Sequence, residues 1–176
     1  MINFLKKICH VIDAINERIG RSVSWLTAVL VVLVTVDVAL RYLFKVTFVA
    51  SQELEWHLFA LVFLLGGGYT LRHNGHVRVD VFYQRLGRKG KALVNILGCL
   101  IFLFPGSYLV IKTSLPFVHF SWSISEASPN PGGLPARYLL KGAIPVAFSL
   151  MALQGLSLLS SSILVLLGQD PKRKRA

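Results

Sequence analysis

From Ile2 to Ile19 the apolar residues Ile2, Leu5, Ile8, Ile12, Ile15 and Ile19 recur at steps of three and four, while Lys6, Lys7, His10, Asp13 and Glu17 take the other side. That period predicts an amphipathic helix over residues 2–20, lying on a membrane surface or seated in a partner's groove. The period then gives way to four long apolar runs, 22–44, 51–71, 92–111 and 138–167. Each reaches the roughly 20 residues needed to cross hydrocarbon. Residues 113–136 contain SWSISEASPNPGGLPA, whose prolines and glycines predict a shaped loop. Residues 168–176 form a basic tail. The pattern predicts one all-α integral membrane domain over residues 1–176, with four transmembrane helices preceded by an amphipathic interfacial helix. A cleaved signal peptide is not expected, because the charged start is long and no small-residue cleavage site follows it.

Composition agrees with this reading: 54% hydrophobic residues, 15% charged residues and a mean hydropathy of +0.61 exclude an ordinary soluble domain. The net charge of +11 sits in the segments between apolar runs and accompanies no aromatic-rich basic module, so nucleic acid is not an expected partner. The bilayer is. Of the 19 Lys and Arg, only Arg41, Lys45, Lys112, Arg137 and Lys141 fall on the outer side if both termini and the Arg72–Lys91 connection face the cytoplasm; the other 14 lie inside. The positive-inside rule therefore places the chain as multi-pass, N-in and C-in, with the 113–136 loop outside.

Chemistry-bearing residues are few. Cys9 and Cys99 form neither a disulfide framework nor a redox pair, and the five His are scattered. No nucleophile–base pair, metal-ligand cluster or phosphate-binding motif is present, so neither an enzyme nor a cofactor-carrying subunit is expected. Asp37 and Arg41 share one face of the first span. They read as a neutralised pair with Arg41 snorkelling outward, as a proton or ion site, or as part of a clamp between the first two spans. A clamp would bring Arg41 to Glu53 or Glu55, though these acids project about 200° apart on a helix, so only one of them can face it. Trp56 sits where an interfacial aromatic belongs, and Gly66, Gly67 and Gly68 permit a close helix approach.

ELEWHLF, the glycines before YTLRHNGHVRVD, the SWSISEASPNPGGLPARYLLKGAIP segment and the closing ALQGL resemble, in order along nearly the whole chain, the small DctQ-like membrane subunit of tripartite ATP-independent periplasmic (TRAP) transporters. The resemblance implies a non-catalytic partner of a large multi-span permease and of a soluble periplasmic substrate-binding protein. It implies the bacterial inner membrane, with sodium and substrate carried by the large subunit, and organic acids such as C4-dicarboxylates, sialic acid and keto or aromatic acids as the solutes. The outer loop with Trp122, Glu126, Ser128, Gly132, Gly133, Leu134, Pro135, Arg137 and Lys141 is then a candidate docking segment. In it, Glu126 either faces a partner or pairs with Arg137 or Lys141. The competing reading is a self-sufficient small homo-oligomeric transporter using Asp37. In that reading Arg41, one turn away, would hold the acid ionised.

The charge distribution generates a topology test. In a background freed of Cys9 and Cys99, a cysteine at Ser125 should label from the periplasmic side and one at Gly87 from the cytoplasmic side. Labelling of both from one side would refute the four-span arrangement.

Overall fold

The computed structural model describes residues 2–73 and 80–168, and the side chains of residues 2–6 and 80–82 are not described. His76 and Arg78 of the HVRVD block and the cations Lys172 to Arg175 lie outside the described residues. Helix α1 spans Ile2–Ala39 and runs into a π-helical turn, Leu40–Phe44. Lys45 then takes a left-handed conformation, φ 57°, and a short link leads to α2, Val49–Arg72. A short helix α3, Asp80–Arg85, precedes α4, Arg88–Gly98. A second π-helical turn, Cys99–Leu103, joins α4 to α5, Phe104–Ser123, and α6 covers Arg137–Leu166. The described residues contain no strand, and four helical rods are long and apolar enough to cross a membrane.

Two boundaries differ from the sequence expectation. No break separates residues 2–20 from the first span; α1 is one rod of 38 residues, about 57 Å long. Ile12, Asn16 and Gly20 are buried in this rod, while Ile8 and Ile15 remain exposed. Of the polar side of its amphipathic pattern, Asp13 and Glu17 contact other helices while Lys7 and His10 are exposed, and only part of the apolar stripe is covered. The third rod, likewise, does not end at Ile111 but continues to Ser123, so the first half of the expected 113–136 loop is helical. Lys112 does not terminate it, because a long cationic side chain lies along the helix surface, here with Nζ 5.9 Å from the Tyr108 ring centre. Pro105 sits at the start of α5 directly after the π-helical turn, which accommodates the missing backbone donor without breaking the rod. Asn95 of α4 accepts a hydrogen bond from Tyr83 Oη of α3 at 3.2 Å.

Helix α6 is the centre of the bundle, packing against α1 and α2 on one side and α4–α5 on the other. Lipid tails provide no hydrophobic drive for helix association, so close approach depends on small residues. Ala147, Gly155, Ser157 and Ser162 are buried on α6, and Ser107, Ser114 and Ser121 are buried at seven-residue steps along α5. Cys99 Sγ lies 3.8 Å from the Gly155 carbonyl oxygen. Between α1 and α2 one tight point is Gly20, where an added Cβ would strike the Tyr69 ring. Gly20→Leu should therefore cost about 1–3 kcal/mol through overpacking, despite the better helix propensity of Leu. Gly142→Leu, with nothing within 4 Å of the new Cβ, should not. Thermal unfolding of the two variants in detergent checks the contrast.

Candidate functional site

Polar groups gather at two levels of the bundle. At the outer level Glu53, in the first turns of α2, is 4% exposed, and its carboxylate collects donors from the chain between α5 and α6. The Ser128 hydroxyl and Asn130 Nδ2, the latter at 3.1 Å, donate to Oε1, the Leu134 backbone N–H donates to Oε2 at 2.8 Å, and Arg137 Nη2 closes an ion pair with Oε1 at 3.0 Å. Local sequence shapes the chain that supplies them. Gly132 adopts φ 76°, the Gly133 N–H donates to Asn130 O at 3.0 Å, and the Ser128 N–H donates to Leu134 O at 3.0 Å. A Cβ at Gly133 would lie 2.9 Å from Glu53 Oε2 and collide with Ser128, so glycine is required there by the approach of the carboxylate. Pro135 leads to Ala136, whose left-handed φ of 62° turns the chain into α6.

Glu126 forms the second half of this level. It accepts from the Ser121 hydroxyl and pairs with Lys141, while its backbone carbonyl accepts from the Arg137 N–H at 2.9 Å. Lys141 Nζ also stands 4.1 Å from the Phe117 ring centre, and the Trp122 ring meets Tyr138 edge-on at 4.7 Å. The Lys141 hydrogen bond, then that of Ser121, holds the Glu126 carboxyl below its ordinary value of 4.5. Of the outer set named from sequence, Ser128, Gly133, Leu134 and Arg137 converge on Glu53, Glu126 pairs with Lys141, and Trp122 packs on Tyr138. The Arg137 guanidinium also lies 5.5 Å from the Trp56 ring centre.

Of the three readings of Asp37 and Arg41, the structure shows the pair within one helix, and no ion pair between Arg41 and an acid of α2 is seen among the described residues. Arg41 Nη2 pairs with Asp37 Oδ2 at 2.7 Å within its own helix, leaving Asp37 4% and Arg41 44% exposed. Glu53 faces α6 and the outer chain, where Arg137 supplies its cation, and Glu55 projects to the other side of α2. Of the three glycines, Gly68 touches the Asn16 side chain and approaches Leu150 O, and Gly67 meets the tip of Met151, whereas Gly66 faces open space.

The inner level was missed by sequence reasoning. Asp13 Oδ1 accepts from Gln154 Nε2 at 2.9 Å and Ser157 Oγ at 2.7 Å, and the Asp13 carbonyl accepts from Arg72 Nη1 at 2.8 Å. Glu17 pairs with Arg72, with Arg21 Nε at 2.8 Å and with His73 Nε2 at 2.9 Å. Its signal in the sequence was the polar residue on the helix that should lie on lipid, together with Gln154 inside an apolar run. Arg72 follows Glu53 by 19 residues of one helix, so the two levels stand about 28 Å apart, close to the thickness of a hydrocarbon core. Among the described residues no group of three or more His, Cys, Asp or Glu is placed to hold a metal ion.

Comparison with known proteins gives two matches. The model of the family described as "Tripartite ATP-independent periplasmic transporters, DctQ component" matches residues 30–164. A Haemophilus influenzae protein with the provisional name TRAP transporter small permease is 27% identical over 128 residues, which cover 73% of this chain and 76% of that protein. The family match spans the outer level completely and begins after Asp13 and Glu17.

The geometry at Glu126 gives a pH expectation. A carboxyl whose folded value lies below 4.5 contributes stability that is complete above its unfolded value and is lost as pH falls through the folded one. In a variant with Trp25 and Trp56 replaced by Phe, the fluorescence of Trp122 should therefore report an acid transition below pH 4.5 that Glu126→Gln removes. The same transition in both proteins would show that Glu126 does not govern the loop.

Proposed function

The chain belongs to the DctQ family of tripartite ATP-independent periplasmic transporters, and from this premise we propose that it scaffolds a large permease subunit and helps dock the periplasmic substrate-binding protein. As a small permease component it is a multi-pass membrane protein with four membrane-capable helices. Transport itself, driven by sodium and directed at an organic acid or related solute, belongs in this reading to the large subunit. Both termini of this chain lie in the cytoplasm, and its outer loop faces the periplasm.

The observation that carries the proposal is the attachment of residues 128–137 to Glu53 by a side-chain hydroxyl, a side-chain amide, a backbone N–H and a guanidinium. A loop tied at several points to a helix is presented in one shape, and a preshaped surface binds a partner with less ordering cost. Pro129, Asn130, Pro131 and Gly132 form the exposed rim of this loop. Asp37 supports no independent transport site, since it is buried and its carboxylate is engaged by Arg41.

Reconstitution of this chain with the large permease and the binding protein tests the reading. Leaving out this chain should abolish uptake into proteoliposomes. Glu53→Ala should raise the binding-protein concentration needed for half-maximal uptake severalfold, with the membrane complex intact. Native uptake by the large permease alone would overturn the scaffold role, and an unchanged half-saturation in Glu53→Ala would overturn docking through this loop.

A further inference from the structure

Arg85 and Lys89 are exposed, and neither enters an ion pair among the described residues. They flank the elbow where α3 turns into α4. There Leu86 folds back on the helix, so that a Cβ added at Gly90 would lie 3.3 Å from Leu86 Cβ. Tyr83 braces the same turn, with its hydroxyl on Asn95 and its ring centre 5.5 Å from Lys91 Nζ. Lys91 is thereby engaged, and Arg85 and Lys89 are left with their charges unmatched. Asp80 is the only acid in the sequence between Glu55 and Glu126, so this part of the chain has little negative charge to offer them.

What lies along the helix from Lys89 is apolar. Leu93, Leu97 and Leu100 follow it at steps of four, four and three and so share its face, and they are 52%, 47% and 52% exposed. The stripe belongs to a rod long and apolar enough to cross a membrane, Arg88–Ser123, so acyl chains lie beside its leucines. Depth agrees with this. Cys99 meets Gly155 of α6, two residues from Ser157 of the inner level, and Lys89 stands ten residues earlier on the rod, about 15 Å further from Glu53. Its ammonium is therefore on the headgroup side of the inner level. A cation at the head of a row of exposed leucines matches an amphiphile with a negative head and an apolar tail.

We propose that the α3–α4 elbow holds an anionic phospholipid, with Arg85 and Lys89 on its phosphate and Leu93 and Leu97 along an acyl chain. Two features distinguish this from the diffuse attraction between a basic surface and a negative leaflet. The elbow fixes where its cations stand, and the leucines in line with Lys89 give the lipid a contact that free phosphate cannot use. The inference goes beyond the subunit reading and takes from it only the leaflet, the cytoplasmic one.

Native mass spectrometry of the purified full chain, titrated with phosphatidylglycerol or phosphatidylcholine of equal chain length, tests it. The wild type should bind phosphatidylglycerol severalfold more tightly than phosphatidylcholine. Arg85→Gln combined with Lys89→Gln should weaken phosphatidylglycerol roughly tenfold and leave phosphatidylcholine unchanged, whereas Arg85→Lys, which keeps the charge, should retain the preference. Lys7→Gln combined with Arg18→Gln removes the same two charges from exposed positions of α1 and should alter neither lipid. Equal losses in the two double variants would reduce the effect to net charge and overturn the site. Equal binding of both lipids by the wild type would also overturn it, as would displacement of phosphatidylglycerol by inorganic phosphate at matched concentration. None of these outcomes bears on the subunit reading, since the assay contains no permease.

Discussion

The Glu53 carboxylate is the point on which the outer half of the molecule depends. A buried acid near the membrane surface is tolerated only with its lone pairs satisfied, and its donors come from three residues in the chain that joins α5 to α6 and from Arg137 at the start of α6. One side chain thereby sets the path of residues 128–137, the position of Arg137 and the start of α6. The conformations of Gly132 and Ala136 and the absence of a Cβ at Gly133 follow from the same demand, since the loop must bring a backbone N–H and two side chains to a single group. Removal of the carboxylate would leave the Arg137 guanidinium partly buried without its counter-charge.

The inner level applies the same physics with different residues. Asp13 and Glu17 of α1, which precede the residues matched by the family model, collect Arg72 and His73 from the end of α2 and Gln154 and Ser157 from α6, tying three helices. Between the two levels the contacts are made chiefly by small residues, Gly68, Ala147 and Gly155 among them, whose role is to let backbones approach. Polar contacts at the ends give register, and small residues between them give proximity. Neither alone would specify how α6 sits between α1–α2 and α4–α5.

Different faces of α2 carry different tasks. The side bearing Glu53 and Gly68 is covered by the chain's own helices and loop, and the side bearing Phe59, Phe63 and Gly66 is open.

The sequence by itself determined the class of molecule. Apolar run length is a local property, so four spans were legible without knowing their neighbours, and the balance of Lys and Arg sets an expectation for their orientation from counting alone. The glycines and prolines of residues 129–135 marked a shaped loop for the same local reason. Tertiary structure decided which acid met which base. Glu53 and Glu55 are two residues apart and chemically alike, yet one is enclosed by residues up to 84 positions away and the other lies without a partner. That choice depends on the rotation of α2 about its axis and on which helices flank it, neither of which is written in a linear pattern of hydropathy. The continuity of α1 past residue 20 and of α5 to Ser123 was hidden for a related reason. Charged residues that look like helix ends in a sequence become contacts once a neighbouring helix, or a snorkelling side chain, satisfies them.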